Sequence, residues 1–389
     1  MEHMRPSLDL DLYGRKALES PLGTYRSIRD TGSAVWLSRH RMWAIGRYAD
    51  VRAALRNDAV FASGKGIAAN RLVNSQSYDT VICSDGETHT RRRRAMLEYL
   101  GARKVAPLEN ELIARAEVLV DDLVSRKDFD AVSDFASVLP VEIVADLLGV
   151  TVKPSRLLRW GASTFDAAGP INIRSAKGLP NALRLKRFGS KLRPSDVAPH
   201  SWAAKMFEAA DAGKLTHVDV RGQVIDFMAP SLDTTILASA EMLRLLGERP
   251  ELWDRIREDN ELIGPMVAEA VRLSSPIRAF TRVTKADVEV GTQLVPGGSR
   301  VVLLYGSANR DERQFENPDT VDLSRSPNEQ IGWGVGAHAC AGMHLARLEM
   351  RALLTAMVPR VRRVTLTGPG VSLVNNTLQG LVSQPAAFD

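Results

Sequence analysis

Between Val218 and Leu246 the chain carries its longest apolar-rich stretch, and over 223–240 it is too apolar for a helix with one face in water. A helix that is hydrophobic all round has to be surrounded by protein. This segment therefore predicts a fold in which a long helix threads the core and the rest of the chain wraps around it. Pro230 falls in its middle, where the missing N–H and the ring clash with the preceding turn predict a bend or an opening.

Elsewhere helical patterns also dominate. Residues 105–126 repeat apolar positions at helical spacing, and 139–149 read as a shorter helix that opens on Pro140 and stops at Gly149. Strand signals are few: 35–37, 42–45, 279–290 and 300–305, the last two joined through Pro296-Gly297-Gly298 as a hairpin-like pair. Residues 169–200, rich in Pro, Gly, Arg and Lys, read as a mobile connection between helices. With no internal repeat, low-complexity tract or clear linker, the expected architecture is mainly α with small β-sheets, in a single domain over residues 1–389.

At 44% hydrophobic and 25% charged residues the composition is that of an ordinary globular protein. The two cysteines, Cys83 and Cys340, make no disulfide framework, which predicts a reducing compartment. No run of ~18 apolar residues predicts a membrane span, and the polar, acidic start MEHMRPSLDLDLYG does not read as a leader. A soluble cytoplasmic protein without membrane association is expected. The balance of 51 basic and 46 acidic residues, net +5, is too dilute to predict nucleic-acid binding, which also calls for interleaved aromatics.

Function has to come from local motifs, of which Ile331–Met350 is the most informative. IGWGVGAHACAGMHLARLEM is a glycine-rich loop running into an amphipathic helix, with Cys340 at the junction. A helix start offers unpaired N–H groups and partial positive charge, both of which stabilise a thiolate. Gly334 and Gly336 allow positive φ or close approach to something flat, and Gly342 lets the first helical turn lie against a near neighbour. A thiolate so placed suits the axial position of a planar metal macrocycle. Taken alone, the segment also admits a cysteine that merely packs. A zinc site using His338, Cys340 and His344 would lack a further cysteine or carboxylate. The glycines fail as a dinucleotide fingerprint, because no strand-turn-helix unit carries G-x-G-x-x-G.

The same segment resembles the haem-binding loop of the cytochromes P450, F-G-x-G-x-H-x-C-x-G. Here it reads W-G-V-G-A-H-A-C-A-G, departing only at Trp333. Three further marks fall in the family's order. DGETHTRRRR (85–94) sets His89 and Arg93 on one helical face. Residues 230–235, Pro-Ser-Leu-Asp-Thr-Thr, resemble [A/G]-G-x-[D/E]-T-T. Glu269–Arg272 resembles E-x-x-R and is followed by F-x-x-P-x-x-x-D-x-x-R from Phe315 to Arg325, whereas Glu241–Arg244 fits E-x-x-R without that sequel.

The resemblance implies a cytochrome P450 fold, with the long central helix lying over haem b and Cys340 giving the iron its axial thiolate. It implies that His89, Arg93, Arg282 and His338 bind the haem propionates, that Glu269, Arg272 and Arg325 lock the proximal core, and that Asp233 and Thr234 are the catalytic proton relay. Of the four adjacent arginines, Arg93 is expected inward and Arg91, Arg92 and Arg94 outward, as a basic face for an acidic electron donor. Pro230 and Ser231 replace the usual small pair. Pro230 should share the haem-facing side with Thr234, and the freed carbonyl of Asp226 is a water site. An indole at Trp333 packed on the sulfur would tune the iron if its N–H reached it.

Several strings resemble soluble bacterial members that oxidise para-substituted benzoates: GRYADV (46–51), LDTT (232–235), SSPIRAFTR (274–282), YGSANRD (305–311) and NNTLQGL (375–381). This implies a monooxygenase that inserts one oxygen atom from O2 into a small aromatic substrate, by hydroxylation or oxidative O-demethylation. Electrons would come from a separate ferredoxin and ferredoxin reductase, with no reductase fused to the chain. Phe165, Pro230 and Phe280 are the expected pocket residues. The carboxylate partners of those relatives have no counterpart, since Gln76, Asp79, Asp226 and Ala229 stand in their places and the aspartates would repel a carboxylate. Arg71 or Arg278 are the possible substitutes. A neutral phenol, an amine-bearing aromatic and a larger natural product stay open as substrates. The alternatives for the chain as a whole are a peroxide-driven haem-thiolate oxidant, suggested by Pro230 and Ser231, and a non-enzymatic haem-binding sensor, against which Asp233 and Thr234 argue.

Overall fold

The computed structural model describes residues 5–75, 79–126 and 128–389, so Gln76 lies outside the described residues. The apolar stretch forms two helices, His217–Met228 and Pro230–Glu248, with Ala229 between them. Proline needs no N–H in the first turn of a helix, so Pro230 ends one hydrogen-bond ladder and starts the next. Thr216 and Asp219 close the first helix with a capping box. The second, the central helix, buries Leu232, Ile236, Ala240, Leu243 and Leu246, and packs on Val138–Leu148, Ile263–Ser274 and the short turn Ala131–Ala136.

The helix expected over 105–126 is prefaced by a turn at Ala106–Leu108 containing Pro107 and runs from Glu109 to Ser125, against the helix Met343–Met357. Val138–Leu148 ends on Gly149 at φ 66°, the stop read from the sequence. Residues 169–200 need correction. Most of them form the helix Ile173–Lys191, opened by a capping box between Asn172 and Ser175 and lying along Pro154–Ala167. No apolar period announced it, because close backbone contact sets the two helices together. A Cβ on Gly178 would stand 2.5 Å from the Ser163 carbonyl oxygen.

A six-stranded sheet runs Ser7–Leu8, Val35–Leu37, Met42–Ile45, Arg300–Leu303, Phe280–Thr284, Phe61–Ala62. Phe280–Thr284 and Arg300–Leu303 are antiparallel with Phe280 opposite Leu303, as the sequence suggested. The chain between them leaves the sheet for a hairpin of its own, Val288–Val290 with Gln293–Val295. Among the described residues no helix is long and apolar enough to cross a membrane.

Candidate active site

The two-part apolar segment, the helices Gly86–Leu100 and Met343–Met357, and the sheet enclose a cavity of about 530 Å³. Val218, Gly222, Asp226, Pro230, Thr234 and Ala238 all line it. These residues are spaced four apart, so one helical face continues across the break at Ala229.

Another wall is the glycine loop. Gly334 and Gly336 take φ values of 65° and 77°, and the Cys340 N–H donates to the Trp333 carbonyl at 2.7 Å, closing the loop. The loop is pressed on the helix Tyr48–Arg56, for a Cβ on Gly336 would lie 2.6 Å from the Leu55 carbonyl oxygen. Protein encloses Cys340, yet its side chain has accessible surface, because it opens into the cavity. Burial pushes its thiol up, while the N–H groups of Gly342 and Met343 and the cations Arg93 and Arg347 pull the other way. Gly342 faces open space: among the described residues outside its own turn, a Cβ there would meet only the Cys340 sulfur, at 4.0 Å. Cys83 also lines the cavity, with its thiol pushed up to about 11, chiefly by burial. Among the described residues no three His, Cys, Asp or Glu side chains converge as a metal-ligand set, so His338, Cys340 and His344 do not form the zinc site considered above.

One side of the cavity is basic. His89, Arg93, Arg282 and His338 all line it. The two imidazoles lie tilted against each other with ring centroids 4.1 Å apart, and among the described residues the buried Nε2 atom of each has no hydrogen-bond partner. Burial and then Arg282, His89 and Arg93 push His338 down to about 3; burial and Arg93 also lower His89. Asp85 comes within 3.8 Å of His338 Nε2, but its oxygens accept the N–H groups of Ser63 and Gly64, each at 2.9 Å. Arg282 donates to the Thr281 carbonyl at 2.9 Å and to Tyr305, a cavity residue the motifs did not flag.

The expectation for the neighbouring arginines fails at Arg92. It is buried, with Nε 2.7 Å from Asp219 Oδ1, while Arg91 reaches Oδ2 of the same carboxylate at 2.5 Å. Burial raises Asp219, but the hydrogen bonds from Arg91, Arg92 and Thr216 outweigh it and hold the group far below the usual carboxylate range. A run of four identical residues has no periodicity to show which of them an acid on a distant helix will draw inward. Arg94 stays exposed.

Glu269 and Arg272, both 0% exposed, form a two-pronged pair at 2.7 and 2.8 Å. Arg325 Nε lies 3.4 Å from Glu269 Oε1, and the Asp322 N–H and the Asn328 amide donate to the same carboxylate at 2.9 Å each. Arg272 also donates to the carbonyls of Asn309, Pro318 and Thr320. Glu241–Arg244 pairs as well, on a partly exposed helix face.

The acid–alcohol pair is split. Thr234 lines the cavity, where its hydroxyl donates to the Pro230 carbonyl at 2.6 Å. Asp233 Oδ2 is buried, has no hydrogen-bond partner among the described residues, and is turned toward Gly161, where a Cβ would sit 2.1 Å from it. Burial pushes this carboxyl up to about 8. Asp226 faces the cavity and accepts the Val81 and Ile82 N–H groups; burial raises it to about 7. Phe165 and Phe280 line the cavity, Phe165 with Leu237 and Leu378, Phe280 edge-on to Tyr305 at 6.2 Å. Neither substitute carboxylate partner reaches it: Arg71 is exposed outside the lining, and Arg278 is buried against the Tyr25 hydroxyl and the Leu12 carbonyl. The sequence reading also missed Glu349, a buried cavity-lining acid pushed up to about 8 by burial. Its signal was an acid four residues after Leu345, on the apolar stripe of its helix.

These groups fit a haem. Among the described residues Arg93 and Arg282 form no ion pair, and the Nε2 atoms of His89 and His338 have no hydrogen-bond partner; two propionates would satisfy them. A thiol backed by N–H groups opens into the same space, beneath a loop with room beside Gly342 for a flat ring. Residues 183–388 match the family Cytochrome P450, and the chain belongs to it. The family is one of haem-thiolate monooxygenases that carry haem b on a cysteine thiolate. Among its relatives, the chain is 29% identical over 386 residues to cytochrome P450 CYP199A2 of Rhodopseudomonas palustris, covering 98% of this chain and 94% of that one. It is 28% identical to cytochrome P450-terp of a Pseudomonas species, over 89% and 88% of the two chains. The solved structure of Mycobacterium marinum cytochrome P450 CYP268A2 in complex with pseudoionone superposes with a TM-score of 0.86, at 25% identity, covering 99% of this chain and 100% of that one.

Proposed function

We propose that Cys340 would hold the haem of this monooxygenase through its thiolate and that the substrate is a small aromatic molecule oxidised by hydroxylation or O-demethylation. The observation that carries the first part is the Cys340 sulfur, turned into a cavity where, among the described residues, Arg93 and Arg282 form no ion pair and two imidazole nitrogens have no hydrogen-bond partner. His89, Arg93, Arg282 and His338 would hold the propionates of the haem, and Glu269, Arg272 and Arg325 hold the loop side rigid. The bound haem supplies reductive activation of O2 and oxidation of a substrate C–H bond. Thr234 holds a proton on the cavity face, and passing it inward requires the hydroxyl to leave the Pro230 carbonyl. Asp233 holds a second proton at neutral pH and reaches Thr234 by turning away from Gly161. Phe165, Pro230 and Phe280 form apolar walls that keep water from the substrate. Oxidation of a C–H bond beside an ether oxygen gives a hemiacetal, which collapses to a phenol and an aldehyde.

The similarity to the bacterial benzoate oxidisers, spread over five strings of sequence, supports the aromatic substrate. We read the chain as one cytoplasmic haem domain fed by a separate ferredoxin and reductase. The test is turnover of a panel of methoxy-substituted aromatics by the purified holoenzyme with a ferredoxin system, and separately with hydrogen peroxide. Product with ferredoxin alone is expected. Product only with peroxide would favour the peroxide-driven reading that Pro230 and Ser231 suggest, and ligand-induced spectral shifts without product under either supply would favour a sensor.

A further inference from the structure

Among the acids along the cavity, Asp226 is distinctive. It lies eight residues before Thr234 on the same lining face, about two helical turns away across the break at Ala229, and so well apart from the proton-bearing hydroxyl. It is deeply enclosed, yet its side chain keeps accessible surface into the cavity. Its anchoring comes from neutral donors, the N–H groups of Val81 and Ile82. The nearby cation, Arg92, is engaged by Asp219 and the Thr80 carbonyl. Farther along, Asp79, Lys186 and Arg221 also line the cavity; Arg221 gives its Nε to the Leu192 carbonyl and Lys186 has a partner of its own. Among the further neighbours of Asp226 along the lining, Ile82, Ile225, Phe227 and Ala229 are apolar and Cys83 is a thiol.

Arg92 draws Asp226 down from a distance, but among the described residues no cation forms an ion pair with this carboxyl, and burial without such a pair is costly. Burial accordingly raises Asp226 to about 7, and a cationic ligand would stabilise its ionised form. We infer that Asp226 selects the substrate: it takes an aromatic whose end remote from the oxidised carbon carries an N–H-bearing cation, and it turns carboxylates away. This rests on the reading of the protein as a haem-thiolate monooxygenase of small aromatics, and narrows it.

The test is optical titration of the ferric holoenzyme with three ligands of nearly one shape and different charge: 4-methoxybenzamidine, 4-methoxybenzamide and 4-methoxybenzoate. The amidine is expected to shift the haem band from low to high spin and to bind roughly tenfold or more tighter than the benzoate. Asp226→Asn, which keeps an acceptor for the 81–82 loop, should erase most of that ratio. Should the variant fail to take up haem, the ladder of three ligands on the unmodified enzyme still decides. Benzoate binding as tightly as the amidine, or an unchanged ratio in Asp226→Asn, overturns the inference and leaves the small-aromatic reading standing. If none of the three shifts the band while the thiolate-haem spectrum is intact, the small-aromatic reading falls and the inference with it.

Discussion

The two sides of the cavity treat buried carboxyl groups in opposite ways. On the loop side Glu269 is surrounded by Arg272, Arg325, the Asn328 amide and the Asp322 N–H, so both of its oxygens are occupied and its charge is matched. On the roof, Asp233 has an oxygen with no hydrogen-bond partner among the described residues, and Asp226 has only backbone donors. Satisfied buried charge rigidifies, while an unsatisfied carboxyl keeps its proton and stays ready to exchange it. A fixed floor under a responsive roof is what a reaction needs when its cofactor must not move and its protons must. Glu349 crosses the division: it sits on the helix that follows Cys340 but is raised to about 8 by burial, like the roof acids.

The contrast can be broken most severely at its floor. Cys340→Ala should abolish oxygenation and remove the thiolate signature from the spectrum of the reduced carbon monoxide complex; a variant that kept that signature would transfer the ligand role to Cys83. Glu269→Gln leaves Arg272 and Arg325 facing an uncharged amide in a fully buried site, and should cost about 3–5 kcal/mol of stability in denaturant titration of the holoenzyme. Roof substitutions should touch chemistry more than folding. In Thr234→Ala the lost hydrogen bond is one within its own helix, so the melting behaviour should be nearly unchanged while product per electron falls roughly tenfold or more.

Asp233 gives a pH test with a definite sign. Its folded value of about 8 exceeds the ordinary 3.8, so between these the folded protein keeps a proton that the unfolded chain has released. Stability should therefore fall as pH rises through that window and level off above about 8. Asp233→Asn should make the fall shallower, with Asp226 and Glu349 supplying what is left; an unchanged slope would mean the carboxyl is ionised already. The smallest effect is expected on the floor again. Trp333→Phe, beneath the Arg347 guanidinium at 5.8 Å, should move the reduction potential slightly, and no movement would remove the indole from redox tuning.

What could be read in advance depended on whether a residue's role is local. The glycine loop was legible because its φ values, its cysteine and its helix start lie within one short string, and the break at Pro230 because a proline acts on its own turn. The pairing of Phe280–Thr284 with Arg300–Leu303 was legible from a nearby turn. Arg92 was not, since the acid that draws it inward is on another helix, and Ile173–Lys191 was not, since its seat is a backbone contact through Gly178 rather than an apolar stripe. The outward turn of Asp233 toward Gly161 likewise comes from a space left by a glycine on a different helix.

The shared grip of Arg91 and Arg92 on Asp219 has a mechanical side. It bolts the roof helix that carries Asp226 to the helix that carries His89 and Arg93, on the far side of the break at Ala229 from the central helix. Neither helix can tilt against the other without breaking that charged grip or carrying its neighbour along.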